Sequence, residues 1–119
     1  MITINRENLA YAAGLFDGEG TSRFSLYNGK NRTIRLAVKM TDVEPLRRFW
    51  EATNHKCKVY GPYRERAWKN FYRDNYQVVV QNFEEFQFIM CLLWNWLSQP
   101  KRNQFRETVT AYLSYRGQP

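Results

Sequence analysis

Near its start the chain carries the stretch Tyr11-Ala12-Ala13-Gly14-Leu15-Phe16-Asp17-Gly18-Glu19-Gly20, in which small residues give way to two acids separated by glycine. Alanine is the strongest helix former, so the sequence predicts a helix over residues 5–16. Gly18 and Gly20 are predicted to end this helix, because glycine favours helix C-termini. Glu19 is therefore expected at the helix end, next to the first strand.

The residues that follow alternate between apolar and polar side chains, which is typical of strands with one buried face. Strands are predicted at residues 21–27 and 32–40, joined by a hairpin turn at Asn28-Gly29-Lys30-Asn31. The polar face of this hairpin contains three basic residues and no acid. Its members are Thr21, Arg23, Ser25, Tyr27, Thr33, Arg35 and Lys39. Because a β-ribbon fits the DNA major groove, this face is predicted to read DNA.

The rest of the chain predicts three more helices and a second pair of strands. Thr41-Asp42-Val43-Glu44 has the form of a capping box that opens the second helix. Short strands are predicted at residues 57–60 and 75–80, and Asn82-Phe83-Glu84-Glu85 caps the third helix. Pro100 suits the first turn of a fourth helix that ends near Gly117. The expected fold is one α+β domain over residues 1–119, with an αββαββα core and a C-terminal helix. Its helices cover one face of a four-stranded antiparallel sheet, opposite the polar face.

The charge and composition of the chain limit the classes of function that it can have. The formal net charge is +7 and the sequence pI is about 9.6, which indicates a polyanionic partner. His55 is the only histidine, which excludes zinc fingers and most histidine-dependent nucleases and hydrolases. Cys57 and Cys91 are predicted to be two buried thiols in a reducing, intracellular compartment. We expect no signal peptide, no membrane segment and no small-molecule cofactor.

Residues 12–20 resemble the LAGLIDADG motif of homing endonucleases. Gly14, Leu15, Asp17 and Gly20 are identical to the consensus letters, and Glu19 replaces the final acid. The element order also resembles the core of that family, and residues 96–104 resemble its C-terminal lysine region. The resemblance implies a single-motif, homodimeric enzyme that hydrolyses both strands of duplex DNA at a specific site. It also implies Mg²⁺ as the cofactor, with other divalent cations such as Mn²⁺ possible.

The resemblance assigns roles to individual residues. The carboxylate of Glu19 and the backbone carbonyl of Gly18 would bind the metal ion. The expected catalytic residues are Glu19, Lys101, Asp42 and Arg47. Lys101 would organise water near the scissile phosphate, with Arg102 as its rival. Asp42 either orders a water molecule or caps a helix, and Arg47 competes with the adjacent Arg48 for a supporting role.

The expected interfaces complete this hypothesis. The residues expected to bind DNA are Thr21, Arg23, Ser25, Tyr27, Arg32, Thr33, Arg35, Lys39, Lys58, Tyr60, Asn75 and Gln77. Ala10, Ala13 and Gly14 are expected to form the dimer interface, because small residues let two helices pack closely. One motif supplies one carboxylate per chain, so two chains are needed for a paired site.

Two other functions compete with this one. The first is a catalytically inactive DNA- or RNA-binding module of the same fold, such as a maturase or a regulator. The second is an unrelated RNA-binding α+β domain, in which Tyr27 and Tyr60 would form a stacking platform.

Overall fold

Helices and strands follow one another in the predicted order. The computed structural model describes residues 4–115. It contains α1 (Arg6–Glu19), β1 (Gly20–Tyr27), β2 (Asn31–Met40), α2 (Val43–Ala52), β3 (Lys58–Trp68), β4 (Phe71–Val80), α3 (Phe83–Leu93), a short 3₁₀ turn (Trp94–Trp96) and α4 (Gln99–Ser114). The predicted α+β class and the order of its elements are confirmed. Gly117, near which the last helix was expected to end, lies outside the described residues.

The four strands form one antiparallel sheet in the order β1-β2-β4-β3. The helices cover one face of it, and the apolar residues of β2 point toward them: Ile34, Leu36 and Val38 are at most 1% exposed. Phe16, Phe49 and Phe86 bring one buried ring from each of α1, α2 and α3 to this core. None of the helices within residues 4–115 covers the opposite face of the sheet, which is called the outer face here.

Three helices begin at side-chain caps. Asn5, Asp42 and Asn82 each accept a hydrogen bond from a backbone N–H of the following turn. The cap of α2 is Asp42 rather than Thr41, which the capping-box pattern had indicated. The Asp42 carboxylate accepts from the Glu44 N–H at 3.0 Å, so capping is one role that the structure gives this acid.

The first helix is longer than predicted. It continues through Gly18 to Glu19, and the Gly20 N–H closes its last turn on the Phe16 carbonyl. Gly20 follows in extended backbone, and a Cβ atom there would come within 2.2 Å of the buried Phe16 ring. Gly20 is thus required by packing inside the chain, whereas Gly18 lies within the last turn of the helix.

The second strand pair is also longer than predicted. β3 and β4 run through most of residues 61–74, which were expected to connect two short strands. The pairing shifts between Tyr60 and Tyr63, where Gly61 has a positive φ of 120°. This bulge changes the face to which each following side chain of β3 points, and almost every residue of β3 after it is exposed. The polarity pattern of a half-buried strand is therefore missing here although the strands continue.

The two cysteines differ. Cys57 is buried as predicted, and burial raises the pKa of its thiol to about 11, partly offset by a hydrogen bond with Thr53. Cys91 is exposed, so the prediction of two buried thiols was wrong for this residue, which lies on the solvent side of α3. No helix within residues 4–115 is long and apolar enough to cross a membrane.

Candidate functional site

Glu19 is the last residue of α1, and its side chain is exposed. It borders an open hollow of about 400 Å³, together with Lys39, Met40, Thr41, Glu65, Arg73 and Asn75. Among the described residues the Glu19 carboxylate has no hydrogen-bond or ion-pair partner. The negative end of the helix dipole disfavours an acid at this place, and no basic residue occupies the last turn. No contact within the described residues therefore accounts for an acid at the end of α1.

A hydrogen-bonded chain of three side chains forms one wall of this hollow. The Lys39 ammonium lies 2.9 Å from Oε1 of Glu65, and Oε2 of Glu65 accepts from the Asn75 amide at 3.1 Å. Asn75 also donates to the Tyr63 carbonyl at 3.3 Å and is only 4% exposed. Asn75 thus lies on the expected face, but its amide supports Glu65 and is not open to a DNA base. Glu65 and Arg73 were missed because they belong to the segment predicted to be a connection.

The start of α4 is fastened to the end of α1 at two places. Lys101 donates from its ammonium to the Gly20 carbonyl at 2.5 Å, one residue after Glu19. Asp17 accepts from the Ser98 backbone N–H at 3.0 Å and from its hydroxyl. Arg102 points elsewhere, toward the Trp94 and Asn95 carbonyls at 2.9 and 3.2 Å. Of the two candidates for the basic position, Lys101 is the one whose ammonium contacts the residue next to Glu19.

Asp42 and Arg47 lie in a different hollow, bordered also by Tyr11, Glu44, Pro45, Arg48 and Glu51. The Arg47 guanidinium is 2.6 Å from the Glu44 carboxylate, and both side chains are more than 60% exposed. The neighbouring Arg48 stacks on the Tyr11 ring at 4.1 Å. The structure therefore does not place Asp42 or Arg47 in the hollow that Glu19 and Lys39 border.

The outer face of the first hairpin has the predicted polar composition. Arg23 pairs with Arg35 across the strands, and the hydroxyls of Ser25 and Thr33 are 2.6 Å apart. The Nε atom of Arg35 is buried and has no hydrogen-bond partner within residues 4–115. The remaining outer-face residues of the expected DNA-binding set are Thr21, Tyr27, Lys39, Lys58, Tyr60 and Gln77.

Arg32 does not belong to that face. Its guanidinium donates to the Tyr112 carbonyl at 2.8 Å and lies 4.3 Å from the Tyr112 ring centre. Strand alternation places residue 32 on the same side as Ile34, toward the helices. Arg32 therefore fastens the hairpin to α4 on the side of the helices, and its expected contact with DNA stays a prediction.

The exposed face of α1 carries small residues at a regular spacing. Ala10, Gly14 and Gly18 are exposed and lie four residues apart, which aligns them along one side of the helix. Ala13, expected in this group, is completely buried in the core of its own chain. A Cβ atom at Gly14 or Gly18 would meet nothing within 4 Å, so the fold of one chain does not require glycine at either position.

Comparisons with known proteins agree with this architecture. No protein-family model matches the sequence, and no curated protein is significantly similar to it. The LAGLIDADG meganuclease I-AabMI, solved bound to uncleaved DNA, matches 88% of this chain with a TM-score of 0.70 and 19% identity. The group I intron-encoded homing endonuclease I-CeuI, solved with DNA, matches 95% with a TM-score of 0.66 and 12% identity. The homing endonuclease I-CvuI, solved with its target and Ca, matches 92% with a TM-score of 0.64 and 16% identity.

The chain therefore has the fold of the LAGLIDADG homing endonucleases, as its motif predicted. It spans 35% of the length of I-AabMI, 57% of I-CeuI and 69% of I-CvuI. The fold accounts for the sheet and its helices. The unpartnered acid, the basic outer face and the small residues of α1 are features of this chain's own sequence.

Proposed function

We propose that this chain is one subunit of a homodimeric, site-specific endonuclease that cuts both strands of duplex DNA with a divalent metal ion. One observation carries the proposal: α1 ends in the exposed, unpartnered Glu19, and its exposed side is lined by Ala10, Gly14 and Gly18. Two copies packed along that side would bring two such acids together within the LAGLIDADG fold.

The two helical glycines support the dimer. Glycine inside a helix costs roughly 0.5–1 kcal/mol relative to alanine, because its backbone loses more freedom on folding. Glycine at positions 14 and 18 therefore destabilises the helix, although nothing in the same chain occupies the space that a side chain would fill. A second helix packed closely against them provides the reason, since small residues let two backbones approach.

The donor atoms at the end of α1 suit Mg²⁺. Within residues 4–115 no three His, Cys, Asp or Glu side chains come together as a metal-binding group. One chain offers the Glu19 carboxylate and the Gly18 carbonyl, which lies in the last turn, where carbonyls lack helical partners. These hard oxygens are the ligands that Mg²⁺ prefers, and a second chain would double them. When bound, such an ion would activate a water molecule and stabilise the charge that develops on the leaving oxygen of the phosphodiester.

The chain's own cations would hold the DNA backbone at this place. Lys39 and Arg73 border the same hollow as Glu19, so these two cations would attract a phosphate bound near that acid. Lys101 uses one donor on the Gly20 carbonyl and keeps two for water or phosphate. Glu65 and Asn75 position Lys39. We assign no catalytic role to Asp42 and Arg47, which lie in another hollow.

The basic outer face would bind the duplex on either side of these acids. Arg23, Arg35 and Gln77 border a second hollow on this face, of about 470 Å³. Arginine and glutamine are suited to guanine and adenine edges in the major groove. The partner of the protein is therefore proposed to be double-stranded DNA, read by one sheet from each subunit.

Cleavage tests the metal site. A target is selected from a randomised duplex pool in Ca²⁺, placed in a supercoiled plasmid, and incubated with Mg²⁺, with Ca²⁺ or without metal. Glu19→Gln keeps the shape but removes the charge, so cutting should fall at least ~100-fold while DNA binding survives. Glu7→Gln, which removes an exposed acid at the other end of α1, is the matched control. Bound but uncut DNA with the wild type would instead identify an inactive binding module.

Sedimentation tests the dimer. Gly14→Ala should raise the unfolding free energy of an isolated subunit by roughly 0.5–1 kcal/mol, because the added methyl group fits the single chain. The same change should weaken the dimer, and Gly14→Leu should disrupt it. A wild-type protein that sediments at 14.4 kDa and still cuts DNA would contradict the proposed dimer.

A further inference from the structure

Part of the second hairpin extends beyond the rest of the sheet. The last pair between β2 and β4 is Met40 with Tyr76, so residues before Tyr76 in β4 have only β3 beside them. Residues 63–74, called the arm here, form this two-stranded extension. Every residue of the arm is exposed except Glu65, which is half-buried. At ~3.3 Å per residue, the arm projects on the order of 15 Å past the sheet.

The tip of the arm is aromatic and cationic. Trp68 pairs with Phe71 across the strands, and these two side chains are 68% and 61% exposed. The Lys69 ammonium lies 4.6 Å from the Trp68 ring centre, and Arg66 donates to the Lys69 carbonyl. No acid occurs between residues 66 and 73. A cross-strand aromatic pair stabilises a hairpin, but here it leaves both rings open to a partner.

The base of the arm borders the hollow of Glu19. Glu65 and Arg73 belong to the arm, and both line that hollow with Glu19 and Lys39. A molecule bound at Glu19 therefore lies beside the arm. The positive charge of the tip matches a polyanion, and the aromatic rings match the flat faces of bases.

We propose that the arm distorts duplex DNA next to the phosphates held at Glu19, a role that rests on the proposed function for its choice of partner. Trp68 and Phe71 press between adjacent base pairs and partly unstack them. Lys69, Arg66 and Arg73 hold the flanking phosphates. Apolar side chains inserted in this way kink a duplex, and the bent DNA then follows more of the protein surface. The arm would favour sequences that unstack easily, such as pyrimidine–purine steps.

Fluorescence of 2-aminopurine tests the arm without any cleavage. The base analogue is placed at successive positions of the duplex selected in Ca²⁺, and its emission rises where stacking is lost. Wild-type protein should give a rise confined to a few base pairs on the flank of the cutting position, where the tip of the arm reaches the duplex. The double variant Trp68→Ala/Phe71→Ala should lose this rise and bind the duplex about tenfold or more weakly. Its circular dichroism should match the wild type, because the arm lies outside the core.

The short turn between α3 and α4 provides the control. Trp96 is 36% exposed there, outside the sheet and the proposed DNA-binding residues, so Trp96→Ala removes an exposed aromatic ring from another part of the protein. This variant should keep the fluorescence rise. Trp68→Phe/Phe71→Trp, which restores aromatic rings, should also recover most of it.

The outcomes separate the arm from the endonuclease. DNA that is bound and cut without any local fluorescence rise would overturn the role of the arm and leave the endonuclease intact. A Trp68-dependent rise without cutting in Mg²⁺ would support the arm and overturn the nuclease. If the double variant changed sedimentation of the dimer but not the fluorescence, the arm would be a self-association element and the proposal would be wrong.

Discussion

The two hairpins of the sheet differ in how far the helices support them. The first is joined to α4 along much of its length, through Ser22 to Gln104 and through Arg32 to Tyr112. The second is covered only at its base, where Val78 and Val80 enter the core and Val59 and Tyr76 pack against it, and its arm is almost entirely exposed. Hydrogen bonding between strands continues in both. Only the first therefore shows the regular change between apolar and polar residues along its length.

This difference separates two requirements that are often treated as one. A strand needs a partner for its backbone, but it needs a buried face only where another layer covers it. The first hairpin meets both requirements and contributes to the stability of the core. The arm meets only the first requirement, so its side chains are free to serve recognition.

Core truncation should show the largest contrast between the hairpins. Leu36→Ala removes a fully buried side chain of β2 and should lower the unfolding free energy by about 2–5 kcal/mol. Tyr72→Ala, in the arm, should lower it by less than ~1 kcal/mol, because it removes only a cross-strand contact. Urea unfolding at one protein concentration measures both. Equal losses would show that the arm packs against something that a single chain does not contain.

The junction between the two parts should show an intermediate effect. Asn75→Ala removes the hydrogen bonds that the buried amide donates to Tyr63 and Glu65. The expected loss of unfolding free energy is about 1 kcal/mol, and amide exchange in the arm should become faster. Gln77→Ala, two residues along the same face, is the control and should change stability by less than ~0.5 kcal/mol. If both variants behaved alike, Asn75 would not hold the arm.

The sequence predicted the supported parts of the fold well. Alternation located β1 and β2, and capping residues located α2 and α3 within a residue. The arm could not be predicted, because its pattern changes at the Gly61 bulge and neither face is buried. The end of α1 was placed one turn too early, because glycine often ends helices and here the Phe16 packing continues the last turn to Gly20.

Residues of the candidate site could be predicted from the sequence where they belong to a recognisable motif. Glu19 and Lys101 follow from the resemblance, and the structure joins the Lys101 ammonium to the carbonyl of Gly20, the residue after Glu19. Glu65 and Arg73 approach that place only through the register of β3 and β4, which no local pattern in the sequence specifies. Ala13 was assigned to the wrong side of α1, because both sides carry small residues and only tertiary packing distinguishes them.

The smallest expected effect on stability is also the one that separates recognition from a merely solvated face. Arg23 and Arg35 stand directly opposite each other on the outer face of the first hairpin, and like charges in that position repel. Arg23→Gln should therefore raise the unfolding free energy by about 0.2–0.5 kcal/mol, since it removes this repulsion without exposing apolar surface. If the face binds DNA, the same change should weaken duplex binding and lower the salt slope by ~1 for a phosphate contact. Lys56→Gln removes the same charge from an exposed turn between α2 and β3, so it corrects for the overall change in net charge. Suppose that Arg23→Gln raises the unfolding free energy but loses more DNA affinity than Lys56→Gln does. The two opposed arginines would then destabilise the fold and serve DNA binding. Identical binding by the two variants would mean that the first hairpin does not hold the duplex, and that recognition depends on the second hairpin and its arm.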